Sequence, residues 1–245
     1  RSFTVIPFDI EEWDITDKDA GERVVRDIRP DVILNLAAYT NVDECEDCLS
    51  LADRVNAEAA GIVAKLCSDH NIRLVHISTD YVFDGEKETP YIEDDVPNPA
   101  SVYGSSKLSG EKKVLSNCPD ATIIRTQWLY GHGGVNFITK ITQIAKERGV
   151  AEVVNDQRGC PTYTKDLADP IRLLIEKNRS GIYHVANAGS CTWFDFAREI
   201  FSNLRIDVAL KPITSGQLDR KAKRPRYSVF DCSKLFRDTG HLMRT

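Results

Sequence analysis

Tyr103-Gly-Ser-Ser-Lys107 sets a phenol and an ammonium four residues apart, and Thr79, 24 residues upstream, adds a hydroxyl. On a helix, residues i and i+4 share a face, so Tyr103 and Lys107 point the same way. A free phenol, with a pKa of about 10, exchanges protons poorly at neutral pH. An ammonium beside it favours the phenolate and lowers that value, which makes the pair a proton shuttle. Thr79 follows the run Arg73-Leu-Val-His-Ile-Ser78, which reads as a buried parallel strand; catalytic groups of open α/β sheets collect at the carboxyl ends of such strands. Its hydroxyl could polarise a substrate oxygen while the phenol protonates it. The chemistry implied is reduction of a carbonyl. Tyr-x-x-x-Lys alone is equally a half-buried Tyr beside a solvated Lys. The order of strand, Ser78-Thr79-Asp80, a loop rich in Pro and acids, and then the Tyr/Lys helix gives it specificity.

The elements that must position these groups alternate along the chain. Strands are expected at residues 3–8, 31–38, 73–78 and 121–126, and helices at 19–28, 51–70 and 101–116. Such alternation implies right-handed crossovers and an α/β fold, a doubly wound parallel sheet with helices on both faces. After Trp128 the pattern loosens: a Gly-rich turn at 131–134, a helix over 137–148, a strand at 151–155, and Gly159-Cys160-Pro161-Thr162 as a loop over a site. A helix at 165–177 tolerates Pro170 within its first two turns. A strand at 181–187 and a helix at 193–204 with Thr192 as N-cap follow, and 217–227 reads as an irregular basic loop. We expect two domains: 1–130 around the sheet and 131–245 mainly as a second lobe, with 150–190 partly returning to the main sheet.

The 245 residues carry a net charge of −5 with no basic block, which argues against a nucleic-acid partner. No apolar stretch approaches the ~18 residues of a membrane span, and no signal-peptide pattern is present, so the cytoplasm is the expected compartment. Seven Cys in irregular spacing fit a reducing environment. Cys45-Glu-Asp-Cys48 has the spacing of half a zinc site but no second half, so no metal is expected. Its acidic neighbours would raise a thiol pKa, which argues against a redox role.

Five motifs occur in one order: Arg29-Pro-Asp-Val-Ile-Leu-Asn-Leu-Ala-Ala38, Ser78-Thr-Asp-Tyr-Val-Phe-Asp-Gly85, Val102-Tyr-Gly-Ser-Ser-Lys-Leu-Ser-Gly-Glu111, Asn155-Asp-Gln-Arg-Gly-Cys-Pro-Thr162 and Arg224-Pro225. In them the chain resembles the extended short-chain dehydrogenase/reductase superfamily, most closely its dTDP-4-dehydrorhamnose reductase branch. The resemblance implies a Rossmann-like domain with a smaller α/β substrate lobe. It implies reduction of the 4-keto group of a nucleotide-activated deoxysugar by NADPH or NADH. By the same resemblance Tyr103 protonates the sugar C4 oxygen, Thr79 hydrogen-bonds it, and Lys107 holds the cofactor ribose and lowers the phenol pKa.

The resemblance further places Ala37, Ala38 and Thr40 as a backbone cradle for the cofactor and Asn56 as its brace. Asp14 and Ile15 flank the adenine, and Ser78 joins the cofactor site. Asp9, at the end of the 3–8 strand, could instead bind a ribose 2′-OH and favour NADH. Val42, Asp80, Tyr81, Trp128 and Gln157 fall on the substrate side, with Arg224 as a diphosphate partner because its planar fork suits phosphate oxygens. Helix packing by the two Ala, a core role for Trp128 and loop packing by Tyr81 are the competing readings. Oligomeric state stays open, a homodimer included.

The family's first strand and its Gly-x-x-Gly-x-x-Gly turn, which meets the cofactor pyrophosphate at a helix N-terminus, are not found in the sequence. The expectation is that these residues are part of a longer enzyme rather than a shortened relative, and that by themselves they bind cofactor poorly. Two other readings compete with the reductase. One is a non-catalytic regulatory subunit, resembling the β subunit of methionine adenosyltransferase. The other is a nucleotide-sugar epimerase or dehydratase, although dehydratases of this superfamily follow the Thr with Asp-Glu, where this chain has Asp80-Tyr81.

Overall fold

A computed structural model describes residues 3–245. The chain first turns at residues 9–13, where the Asp9 carbonyl accepts the N–H groups of Glu12 and Trp13, and then enters α1 (Lys18–Ile28), capped by the Asp17 carboxylate. β1 (Val32–Asn35) leads through an extended segment to the short α2 (Val42–Cys45) and α3 (Leu49–Asp53). One π-helical turn, Arg54–Glu58, joins α3 to α4 (Ala59–Asp69). β2 (Arg73–Thr79) follows, then a 3₁₀ turn at Asp80–Val82, α5 (Val102–Asn117) and β3 (Thr122–Thr126).

β4 (Leu129–Tyr130), α6 (Phe137–Arg148) and β5 (Val150–Val154) begin the second lobe. β6 (Arg158–Gly159), β7 (Thr162–Tyr163) and α7 (Thr164–Glu176) lead back to β8 (Gly181–His184). β9 (Cys191–Thr192), α8 (Trp193–Leu204), β10 (Ala209–Ile213) and α9 (Ser233–Thr239) complete the order.

The main sheet is parallel, in the order β1-β2-β3-β8. Its two inner strands are largely buried on both faces, as a helix-covered parallel sheet requires. Successive residues point to opposite sides. Leu74 and Ile123 enter a core with Val25, Val63 and Leu66 beneath α1 and α4, while Val75 and Ile124 enter a second core with Leu167, Leu174 and Leu235 beneath α7 and α9. A third cluster under the 3₁₀ turn holds Val82, Phe83, Tyr91 and Phe230. A fourth forms the lobe, where α6 and α8 pack on β5 through Ile141, Val153, Ile200 and Phe201.

Two glycines let α5 lie close to its neighbours. A Cβ on Gly104 would stand 2.1 Å from the Tyr81 carbonyl oxygen, and one on Gly110 would stand 2.1 Å from that of Asn56. Both contacts are with backbone, so neither can be relieved by a side-chain rotation.

The strand expected at residues 3–8 is absent: these residues are extended but pair with nothing among the described residues, and all six are exposed. A strand holds its shape through a neighbour's ladder, and among the described residues β1 pairs with β2 alone. β10 and α9 were not anticipated. β10 pairs in parallel with β5 despite Pro212.

Candidate active site

α5 carries Tyr103, Lys107 and Glu111 at successive i+4 positions, and so on one face. Ser101 caps the helix by accepting the Gly104 N–H at 3.1 Å. Lys107, 2% exposed, donates from Nζ to the Ile77 carbonyl of β2 at 2.7 Å. Glu111 binds Arg125 of β3 through both carboxylate oxygens, Nε to Oε1 at 2.9 Å and Nη2 to Oε2 at 2.7 Å. These two buried links set the helix against the sheet and fix where Tyr103 stands.

Thr79, at the carboxyl end of β2, reaches the Tyr103 phenol with its hydroxyl. The Tyr103 ring meets that of Tyr81 edge-on, centroids 5.4 Å apart. Burial pushes the phenol above its ordinary value, Thr79 pulls it down, and Asp80 and Tyr81 push it further up. The expectation that Lys107 lowers the phenol is not met: Lys107 is not among the groups that shift Tyr103, and one of its three donors is held by the Ile77 carbonyl. Lys107 itself is pushed down to about 8 by burial, with Glu111 opposing. The phenol is therefore protonated at neutral pH, the state a proton donor requires.

The candidate cofactor residues fall into two groups. Asn56, on the π-helical turn, accepts the Tyr39 N–H at 2.8 Å and donates to the Tyr39 carbonyl and to Ser106 Oγ, each at 3.0 Å. It thereby ties the segment after β1 to α5. Ala37 and Thr40 lie exposed along that segment and Ala38 half-exposed, while Ser78 Oγ and the Tyr39 hydroxyl are buried with no partner among the described residues.

Asp14 and Ile15 sit instead on the turn before α1. The Asp14 carboxyl accepts the Thr16 N–H at 2.9 Å, which holds its pKa down, and Ile15 packs on the first core. Asp9 is exposed and caps its own turn by accepting the Ile10 N–H.

Val42 opens α2, half-buried. Arg224 is held by Asp43 in a forked pair, Nη1 to Oδ1 at 3.0 Å and Nη2 to Oδ2 at 2.7 Å, and also faces Tyr81. The pairing holds the Asp43 carboxyl below its ordinary value. Trp128, in the left-handed region at φ 47°, stacks on Trp193 with centroids 3.5 Å apart. Gln157 is buried and donates to Ser215 Oγ at 2.8 Å. Cys45, in α2, is pushed up to about 11 by burial and by Glu46 and Glu44, so it stays a thiol.

Three participants were missed from sequence. Gln127 Oε1 accepts the Cys160 N–H at 2.8 Å, and its Nε2 donates to the Ser228 carbonyl at 2.6 Å, seating the 159–162 loop beside Trp128. Ser228 donates from Oγ to Gln127 Oε1 at 3.2 Å; burial pushes the Asp80 carboxyl up, and Ser228 and Thr79 draw it partly down. Asp43 holds Arg224. None of these carries a local signal, because the partners are more than 30 residues apart.

A protonated phenol, a threonine hydroxyl, a buried carboxyl and a guanidinium thus gather where β2 ends and α5 begins. The family described as RmlD substrate binding domain matches residues 1–245. A relative named dTDP-4-dehydrorhamnose reductase, from Streptomyces griseus, is 44% identical over 228 residues, covering 90% of this chain and 75% of that protein. One named dTDP-4-keto-6-deoxy-D-glucose reductase, from Streptomyces niveus, is 43% identical over 227 residues, covering 92% and 79%. The crystal structure of dTDP-4-dehydrorhamnose reductase from Bacillus anthracis in complex with NADP superposes with a TM-score of 0.95 at 41% identity, covering 98% of this chain and 85% of that one. With motif, fold and site in agreement, the chain belongs to the RmlD substrate binding domain family.

Proposed function

We propose that this chain carries out the NADPH-dependent reduction of the C4 ketone of a nucleotide-activated 4-keto-6-deoxysugar, dTDP-4-dehydro-L-rhamnose first among them. The observation that carries the reading is the convergence of the Thr79 hydroxyl on a Tyr103 phenol kept protonated by burial. Relatives named as reductases of such sugars support it, and they do not favour the regulatory-subunit alternative. Asp80-Tyr81 after the threonine favours simple reduction over dehydration.

The residues present fit the ribose and nicotinamide side of the cofactor. The segment braced by Asn56 offers small side chains and open backbone, and Ser78 Oγ is a buried hydroxyl without a protein partner. When bound, reduced NADP supplies the hydride. Tyr103 donates its proton to the C4 oxygen, and Thr79 hydrogen-bonds that oxygen as charge develops on it, a contribution that preorganised donors make at little reorganisation cost. Lys107 anchors α5 and faces the ribose. Residues 1–130 hold the cofactor and 131–245 close over the sugar. Trp128 and Gln157 line the sugar side, and Arg224 takes the diphosphate by exchanging Asp43 for phosphate oxygens.

Turnover is tested by following NADPH oxidation with dTDP-4-dehydro-L-rhamnose against dTDP-L-rhamnose, whose C4 is already reduced. Oxidation is expected only with the ketone; equal rates with both, or none with either, would sink the reading. Arg224→Ala is expected to raise KM for the sugar about 10–100-fold with kcat within a few-fold, since a charge-assisted fork is worth roughly 1.5–3 kcal/mol. Initial-rate kinetics at saturating NADPH measure it, and an unchanged KM would remove Arg224 from the diphosphate site.

A further inference from the structure

Trp128 is held in a backbone conformation that an aromatic residue does not favour. At φ 47° it lies in the left-handed region, where a bulky side chain crowds its own backbone. Arg29, Asn71, Asn178 and Arg205 share that region, and each follows a helix, where such a residue is a common terminator. Trp128 follows a strand instead. It also lies beside the chemistry, two residues after Thr126, whose Cα partner across the β2–β3 ladder is Thr79. Strain of this kind persists only where the surroundings over-determine it.

Two sets of contacts do so. The backbone is pinned on both sides. Gln127, 2% exposed, takes the Cys160 N–H on Oε1 and gives Nε2 to the Ser228 carbonyl, while the Trp128 carbonyl accepts the Thr162 N–H at 3.1 Å. The indole is gripped separately. It lies face to face with the Trp193 indole, centroids 3.5 Å apart and planes 9° from parallel. Gly159 presses on it as well: a Cβ there would stand 2.6 Å from Cε2 and 2.8 Å from Cζ2 of Trp128.

Both jaws of this grip hang from one ribbon. β6 and β9 pair antiparallel, with Gly159 opposite Cys191 and Arg158 opposite Thr192. Gly159 ends the first strand, and Trp193 follows the last residue of the second. Trp193 is fixed in turn as the first residue of α8, behind the Thr192–Asp195 capping box, with the Phe137 ring 4.5 Å from its own. Packing of the lobe explains why two indoles stack. It does not explain a left-handed backbone at one of them, because an indole on a relaxed backbone fills a core as well.

We infer that Trp193 is a positioning residue for sugar recognition: by stacking on Trp128 it keeps that indole in the strained conformation that meets the sugar. The inference rests on the reductase reading, which places Trp128 on the sugar side. An indole offers a flat apolar surface, which suits the C–H face and C6 methyl of a 6-deoxysugar. Without the stack, Trp128 relaxes and returns to the held conformation only part of the time, and apparent affinity falls by that fraction. Once the sugar is bound Trp128 is back in place, so the chemical step is unaffected.

Trp193→Met keeps bulk at the position and removes the flat face. Its KM for the 4-keto sugar nucleotide is expected to rise about 3–10-fold, the worth of a stacked aromatic pair, with kcat within about twofold. Trp193→Phe, which returns a ring to the stack, should come back to within about twofold of the parent. In a Trp128→Ala background Trp193→Met should change nothing further, as expected of a residue that acts through its neighbour. Calorimetry in the presence of NADP separates recognition from turnover: affinity for dTDP-L-rhamnose should fall as KM rises, and affinity for dTDP, which has no sugar, should stay at the parent's value.

Equal affinity of parent and Trp193→Met for dTDP-L-rhamnose overturns the inference and leaves the reductase reading intact. So does an equal loss for dTDP-L-rhamnose and dTDP, a fall in kcat at constant KM, or an undiminished effect in the Trp128→Ala background, since each marks Trp193 as lobe packing. If the methionine variant does not fold, Trp193→Phe decides: a loss of about twofold confined to the sugar-bearing nucleotide supports the inference, and no loss overturns it. A parent that neither binds dTDP-L-rhamnose nor turns over the ketone sinks the reductase reading itself.

Discussion

Tyr103→Phe is expected to lower turnover of the 4-keto sugar nucleotide by about 10²–10⁴, the usual worth of a positioned proton donor. The substitution removes one oxygen and keeps the ring, so the edge-on contact with Tyr81 and the packing of α5 survive. Thr79 keeps its hydroxyl and Lys107 its hold on the Ile77 carbonyl. Affinity for the product nucleotide sugar should change little, and NADPH oxidation under single-turnover conditions isolates the chemical step. A Phe variant within a few-fold of the parent would show that the proton comes from elsewhere, with Thr79 then the first hydroxyl to test.

Glu111→Gln is expected to cost about 3–5 kcal/mol of stability, because it leaves the Arg125 guanidinium buried without its counter-charge. Both side chains are 2% exposed, so solvent does little to screen the loss. The guanidinium also lies over the Phe83 ring, 5.1 Å from its centroid, in a dry setting where it cannot swing out to water. Against a total stability of about 5–15 kcal/mol for a typical domain, this is a large share. Urea unfolding measures it as a drop in midpoint at constant slope. A loss below about 1 kcal/mol would mean the pair behaves like an exposed ion pair. Because Glu111 lies on the same helix face as Tyr103, activity should fall at temperatures below the unfolding transition.

Much of this architecture was legible from periodicity and caps. α6 and α8 were placed to the residue, α8 with Thr192 as its N-cap, and both begin with a capping box, Asn136 with Thr139 and Thr192 with Asp195. The Tyr103/Lys107 face and the position of Thr79 followed from helical spacing and from the end of an apolar strand. β10 was not legible: Ala-Leu-Lys-Pro-Ile is mostly exposed, and its strand character comes from β5, more than 50 residues away. α9 has seven residues and no side-chain cap, so little marks its start. Residues 3–8 erred in the other direction, since they carry strand-forming residues but no partner.

At the site, sequence gave residue types but not their allegiances. Arg224 was read as free for phosphate and is clasped by Asp43, 181 positions away. Lys107 was read as tuning the phenol and is instead bound to β2. Asp80 could be seen as a carboxylate beside Thr79, but not as the buried acceptor of the Thr79 hydroxyl. Contacts between residues so distant in sequence are set by the packed fold and leave no spacing to read.

The touching approach of α5 at Gly104 and Gly110 leaves that helix little freedom to change. With carbonyl oxygens standing where side chains would grow, a Cβ at either position must push the backbone of Tyr81 or Asn56 aside, and with it the placement of Tyr103.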